Sequence, residues 1–198
     1  LETAGGFLHI TAGFAAAFFA ACIIGAAAGR YRLLKDFLAP AVILMQSLPV
    51  ASFIIILLIW FGSKNVAAYI SFIVVFPMIY NGVITGIANI DAKLVEMAQV
   101  FGISPLRRIR CIYIAQVVPF VEANLKSALG MCWKAGVSAE VIGLVSNSVG
   151  EQLYYSKLYL LTADLFAWSL AVVVMSFAFE KVFIILAASA VRWLRRLL

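Results

Sequence analysis

Charge is scarce in this chain. Only 12% of its 198 residues are Asp, Glu, Lys or Arg, while 65% are hydrophobic and the mean hydropathy is +1.08. A soluble domain carries about a quarter charged residues, so this composition points to a membrane protein before any window is read. Histidine occurs once, at His9, and cannot build a metal centre alone. The three cysteines, Cys22, Cys111 and Cys132, show no paired spacing and read as free thiols. No Ser/His/Asp set is apparent, and no Gly-x-x-x-x-Gly-Lys-Ser/Thr phosphate-binding run. Neither catalysis nor ATP binding is therefore expected of this chain. A basic, apolar, small-residue leader is also missing, and the chain opens on Leu1, so the start of the protein is expected to lie upstream.

What is abundant is long apolar blocks. A bilayer core of about 30 Å takes roughly 20 apolar residues as a helix, and lipid offers backbone groups no outside partner, so each block should be helical. Five spans are expected: about Gly6 to Gly29, Pro40 to Phe61, Val66 to Ala88, Ile112 to Val137, and Ala163 to Ala188. The first is rich in Ala and Gly, which suits close helix packing. The second and third carry central prolines, Pro49 and Pro77, each expected to kink its helix. The fourth is less apolar than the rest. An external loop from Ser146 to Leu161 is expected to hold a short helix. The fold class is an all-α polytopic membrane bundle, one domain over 1–198.

Basic residues in short loops set orientation. One group of alternate loops holds Arg30, Arg32, Lys35, Lys93, Arg107, Arg108, Arg110, Arg192, Arg195 and Arg196; the other holds Lys64 and Lys157. Ten against two makes the first group cytoplasmic, with the C-terminus inside and Leu1 outside. The net charge of +6 is thereby explained without a nucleic-acid partner. A further N-terminal span would account for the external start.

The polar segment at about 89–111 sits between the third and fourth spans. Asp91 is placed to cap a helix, Ala92 to Phe101 make about three turns, and Gly102 suits the left-handed residue that ends it. Ser104-Pro105 reads as a second cap with proline at the first helical position. Leu94, Val95, Ala98 and Phe101 recur at helical spacing and give an apolar face. Glu96 and Lys93 point elsewhere. Such a helix either lies on the membrane surface or docks into a groove of a soluble partner; the residues alone leave both open.

Glu96, Ala98 and Gly102, with Ile112 after nine further residues, resemble the signature loop of permease subunits in bacterial ATP-binding-cassette (ABC) importers. Met97, Ile114 and Ala115 depart from that pattern, and Pro119 matches a second proline beyond it. Ser47-Leu48-Pro49, Ile59-Trp60-Phe61-Gly62, Gly130 to Lys134 and Ala139-Glu140 resemble the nitrate/sulfonate/taurine-type permeases. The similarity runs from about His9 to the tail, and the first block here aligns with the second span of six-span relatives. The resemblance implies a pair of permease copies forming a pathway in a bacterial inner membrane. It implies two ATPase subunits beneath, which carry ATP and Mg, and an extracytoplasmic binding protein that delivers a sulfonate, nitrate or vitamin-precursor-like solute. It assigns ATPase coupling to Leu94, Glu96, Met97, Ala98, Phe101 and Gly102.

Ionisable groups at membrane depth are costly and face protein or water. Glu122 and Lys126 are four apart and are expected to pair; Glu180-Lys181 reads as a structural pair. Lys134 and Glu140 do not share a face, and are candidates for the pathway with Trp133 as an apolar wall; packing or inter-subunit pairing is the alternative. Gln46, Ser47, Tyr80 and Asn81 lie near Pro49 and Pro77 and suit either a pathway or interhelical hydrogen bonds. Two rival functions follow: an ion-coupled secondary transporter, which needs paired broken helices in inverted repeats, and a membrane scaffold that transports nothing.

Overall fold

A computed structural model describes residues 4–196, the side chains of Ala4, Ala188 and 190–196 excepted. Leu1 therefore lies outside the described residues, and the basic tail of Arg192, Arg195 and Arg196 is described in backbone only. Every regular element among the described residues is helical. The order is α1 (Ala4–Arg30), α2 (Arg32–Ser47), α3 (Val50–Phe61), α4 (Val66–Ala88), α5 (Ala92–Val100), α6 (Pro105–Arg108), a π-helical stretch (Ile109–Ile114), α7 (Ala115–Gly143), α8 (Val149–Leu158) and α9 (Thr162–Arg196). The short helix expected between Ser146 and Leu161 is α8.

Three of these helices are long and apolar enough to cross a membrane, over Gly5–Arg30, Val66–Ala88 and Thr162–Ala187. The expected second span is not one kinked helix: α2 and α3 meet at 105°. Pro49 has no N–H and disfavours the helical region for the residue before it. Leu48 accordingly sits extended, at φ −80° and ψ 140°, and the helix stops rather than bends. Pro77, by contrast, lies inside an unbroken α4. The fourth span also differs, because α7 runs on to Gly143 and so includes Glu140. With Glu122, Lys126, Lys134 and Glu140 it is long enough to span at about 43 Å, but is not counted with the apolar three.

The centre of the bundle is α4, packed along α1 on one side and α7 on the other. Small residues let the backbones approach. A Cβ on Gly13 would overlap the carbonyl oxygen of Ala68, and one on Gly86 would stand 3.0 Å from Cα of Val117. Ile10, Phe14, Ile79, Leu129 and Cys132 fill the space between these helices. A second cluster, Ile54 and Leu57 with Ala135, Ala139 and Val145, seats α3 on the outer half of α7. The expected Glu122–Lys126 and Glu180–Lys181 pairs do not form. Among the described residues the one ion pair is Arg32–Asp36, at 3.9 Å. Glu122 and Lys126 are both exposed, and no ion pair joins them.

Two alanine substitutions test this packing by thermal unfolding in detergent. Gly13→Ala places a methyl against backbone that cannot rotate away, and is expected to cost about 1–3 kcal/mol. Gly130→Ala, with nothing within 4 Å, is expected to be neutral or to gain up to about 1 kcal/mol from helix propensity.

Candidate functional site

The polar segment folds from its own caps. Asp91 Oδ1 accepts from the Lys93 N–H at 2.9 Å, which satisfies one free donor of the first turn of α5. At the other end Gly102 is left-handed, at φ +63°. The Ile103 N–H donates to the Ala98 carbonyl at 2.9 Å and the Gly102 N–H to that of Gln99 at 3.1 Å. These paired bonds are the Schellman closure, which ends a helix sharply. Pro105 opens α6 as expected, although the Ser104 side chain makes no capping bond.

Tertiary contacts then fix which way α5 faces. The expected face of Leu94, Val95, Ala98 and Phe101 is divided. Ala98 is fully buried and Val95 half-buried, so these two face the bundle. Leu94, Met97, Val100 and Phe101 face outward, the last two 84% and 76% exposed. Glu96 is exposed and forms no ion pair among the described residues. Gln116, on the first turn of α7, holds the segment in place: its Oε1 accepts from the Asp91 N–H at 2.8 Å. The Arg108 side chain reaches back to the Ile103 carbonyl at 3.4 Å. Sequence reading missed Gln116, since no pattern ties it to a residue twenty-five positions earlier.

The residues expected along a pathway separate into two sets. Tyr80 is buried and stacked on Phe76, with ring centroids 5.8 Å apart. Trp133 is buried between Phe7 and Phe179, each centroid 5.4 Å away. Asn81 is half-buried. Gln46, Ser47 and Lys134 are exposed. Lys134 lies on an outward face of α7 with Ser127, Met131, Ser138 and Ile142, all exposed and at helical spacing. The Leu58 side chain meets Gly143, where an added Cβ would stand 3.1 Å away. Pro49 is nine residues before Leu58, and Lys134 nine before Gly143. At 1.5 Å per residue, each is about 13 Å along its own helix from that contact.

Glu140 belongs to neither set. It is 1% exposed and stands where α1, α7 and α8 meet. Its Oε2 accepts from the Gly150 N–H at 3.2 Å, at the positive first turn of α8. Its Oε1 lies against Gly6, where a Cβ would collide with it. A Cβ on Gly150 would come within 2.6 Å of the Glu140 carbonyl carbon. Two glycines from distant helices therefore make room for one carboxylate, and the carboxylate pins the external helix to α7. Sequence alone gave no sign of this junction, because Gly6, Glu140 and Gly150 form no local pattern.

Glu140→Ala leaves the Gly150 N–H unpaired, at an expected cost of about 1–3 kcal/mol. Glu140→Gln keeps an acceptor oxygen and should cost less. Limited proteolysis of loop 144–161 is the measurement, with cleavage rising in the order wild type, Gln, Ala. Gly150→Ala should raise it as well, by lifting α8 off α7.

With this geometry in view, relatives can be compared. The chain is 26% identical over 147 residues to a Bacillus subtilis protein described as an aliphatic sulfonates transport permease, covering 73% of this chain and 52% of that protein. It is 31% identical over 128 residues to the nitrate import permease of Synechococcus elongatus, covering 62% and 46%. To the taurine transport system permease of Escherichia coli it is 24% identical over 140 residues, covering 66% and 50%. The chain thus spans about half the length of these curated relatives. The sequence pattern of one family matches residues 13–196, from the third turn of α1 through α9. The chain belongs to the binding-protein-dependent transport system inner membrane components.

Proposed function

We propose that α5 is the coupling helix of this permease, received by a groove on a separate ATPase subunit that holds ATP and Mg. The observation that carries the reading is the outward stripe of Leu94, Met97, Val100 and Phe101 on a helix closed at both ends and tied to α7 through Gln116. An apolar stripe of this kind is how a helix-in-groove contact is made. The bond to Gln116 gives movement of α5 a direct route into a 29-residue helix. Glu96, exposed beside the stripe, adds a polar contact at its rim. The C-terminus lies on the same cytoplasmic side. A second copy of the chain completes the permease, and an extracytoplasmic binding protein delivers solute to the face that carries α8.

The pathway runs along the outward face of α7 and past the break between α2 and α3. Lipid would leave the exposed Lys134 ammonium without a partner, and an aqueous path between two copies supplies one. The solute is small and of sulfonate or nitrate type, which suits the exposed cation of Lys134. A second reading, an ion-coupled carrier, is favoured only by the bent α2–α3 pair. Such a carrier needs a matching break in an inverted repeat, and among the described residues one bent pair is found.

Met97→Asp and Phe101→Asp change exposed positions and leave buried Ala98 in place. Each is expected to weaken ATPase retention on co-purification by roughly thirtyfold, about the 2 kcal/mol of an interface hot spot. Retention equal to wild type in both variants would return α5 to the membrane surface. Lys134→Met is expected to keep the complex and its basal ATP hydrolysis while solute uptake into proteoliposomes falls at least tenfold.

A further inference from the structure

A cleft of about 1160 Å³ opens between α1, α4, α7 and α9. Its body is apolar, with Phe14 and Phe18 from α1, Val121 and Leu125 from α7, and Phe183 from α9. One end differs. Arg30, the last residue of α1, and Arg108, the last of α6, both line it there. Arg108 is short of acceptors: its Nε is buried with no hydrogen-bond partner among the described residues. Its one side-chain bond is the long contact of 3.4 Å to the Ile103 carbonyl. Glu122, a carboxylate on the cleft wall, forms no ion pair with either arginine. It stands fourteen residues beyond Arg108, about 21 Å along a helix.

We propose that this cleft binds an anionic phospholipid, its phosphate held by Arg30 and Arg108 and one acyl chain lying along Phe18 and Val121. Guanidinium groups pair with phosphate through two parallel bonds, and basic pockets between membrane helices take anionic headgroups. A purely apolar filler, such as another helix, would leave the two guanidinium groups at that end of the cleft without an anion. The cleft extends from Arg30 to Phe14, about 24 Å along α1, which exceeds the roughly 15 Å hydrocarbon depth of one leaflet. The headgroup braces α6 and through it the segment that carries α5. Assigning the lipid to the cytoplasmic leaflet rests on the orientation proposed above; the site itself does not.

The test uses the permease–ATPase complex in nanodiscs of phosphatidylcholine with phosphatidylglycerol at equal amounts. Native mass spectrometry counts the lipids retained. Wild type is expected to keep phosphatidylglycerol over phosphatidylcholine, and Arg30→Gln with Arg108→Gln to lose that preference at least tenfold. Equal retention of the two lipids by wild type, or an unchanged preference in the double variant, overturns the proposal. A photoreactive residue at Val121 provides a second measurement. A phospholipid adduct supports the site, whereas a peptide adduct overturns it and assigns the cleft to a protein segment. Labelling a cysteine placed at Lys93 from either side of sealed vesicles reports orientation independently, so failure of that reading is told apart from failure of the site.

Discussion

In lipid, an apolar side chain gains nothing by leaving its surroundings for the surface of another helix. Association has to come from how closely backbones approach, and in this chain that approach is concentrated on α4. Gly13 of α1 rests on the Ala68 carbonyl, and Gly86 of α4 on Val117 of α7. The sandwich of α1, α4 and α7 is the frame to which the other helices attach. Helix α9, with 6% of an 18-residue apolar window buried, sends Phe179 and Phe183 into the aromatic cluster of Phe7, Phe14 and Trp133.

Within that frame α7 carries both working ends. Gln116 on its first turn holds the segment before α5, and Glu140 near its last turn holds α8. These residues are twenty-four positions apart, about 36 Å along one helix. Displacement at either end therefore passes through a single element and needs no chain of loops. The π-helical stretch Ile109–Ile114 lies just before Gln116 and leaves one place where the arm can rewind.

Polar groups within the bundle are separated by the same packing. Tyr80 and Trp133 are drawn inward by aromatic neighbours, and Glu140 by two glycines and the start of α8. Lys134, Gln46 and Ser47 are left exposed, the last two just before the break between α2 and α3. On α7 itself, α4 packs against the side that buries Trp133, and Lys134 lies on the exposed side.

Much of this was legible in the residues. Lipid forces the backbone to satisfy itself locally, so apolar runs became α1, α4 and α9 close to their expected bounds. The caps of α5 were readable for the same reason: Asp91 and Gly102 act on backbone groups within a few residues. Three other features depended on neighbours far away in the chain, and only the tertiary structure decided them. Pro49 breaks its span, with Leu48 extended before it, where Pro77, buried among neighbouring helices, leaves α4 whole. Ala98 and Val95 turn inward because Gln116 fixes the approach of α5. Glu140 becomes a clasp because Gly6 and Gly150 meet beside it. Sequence determines what a segment can hydrogen-bond to itself; packing decides which side of it remains for a partner.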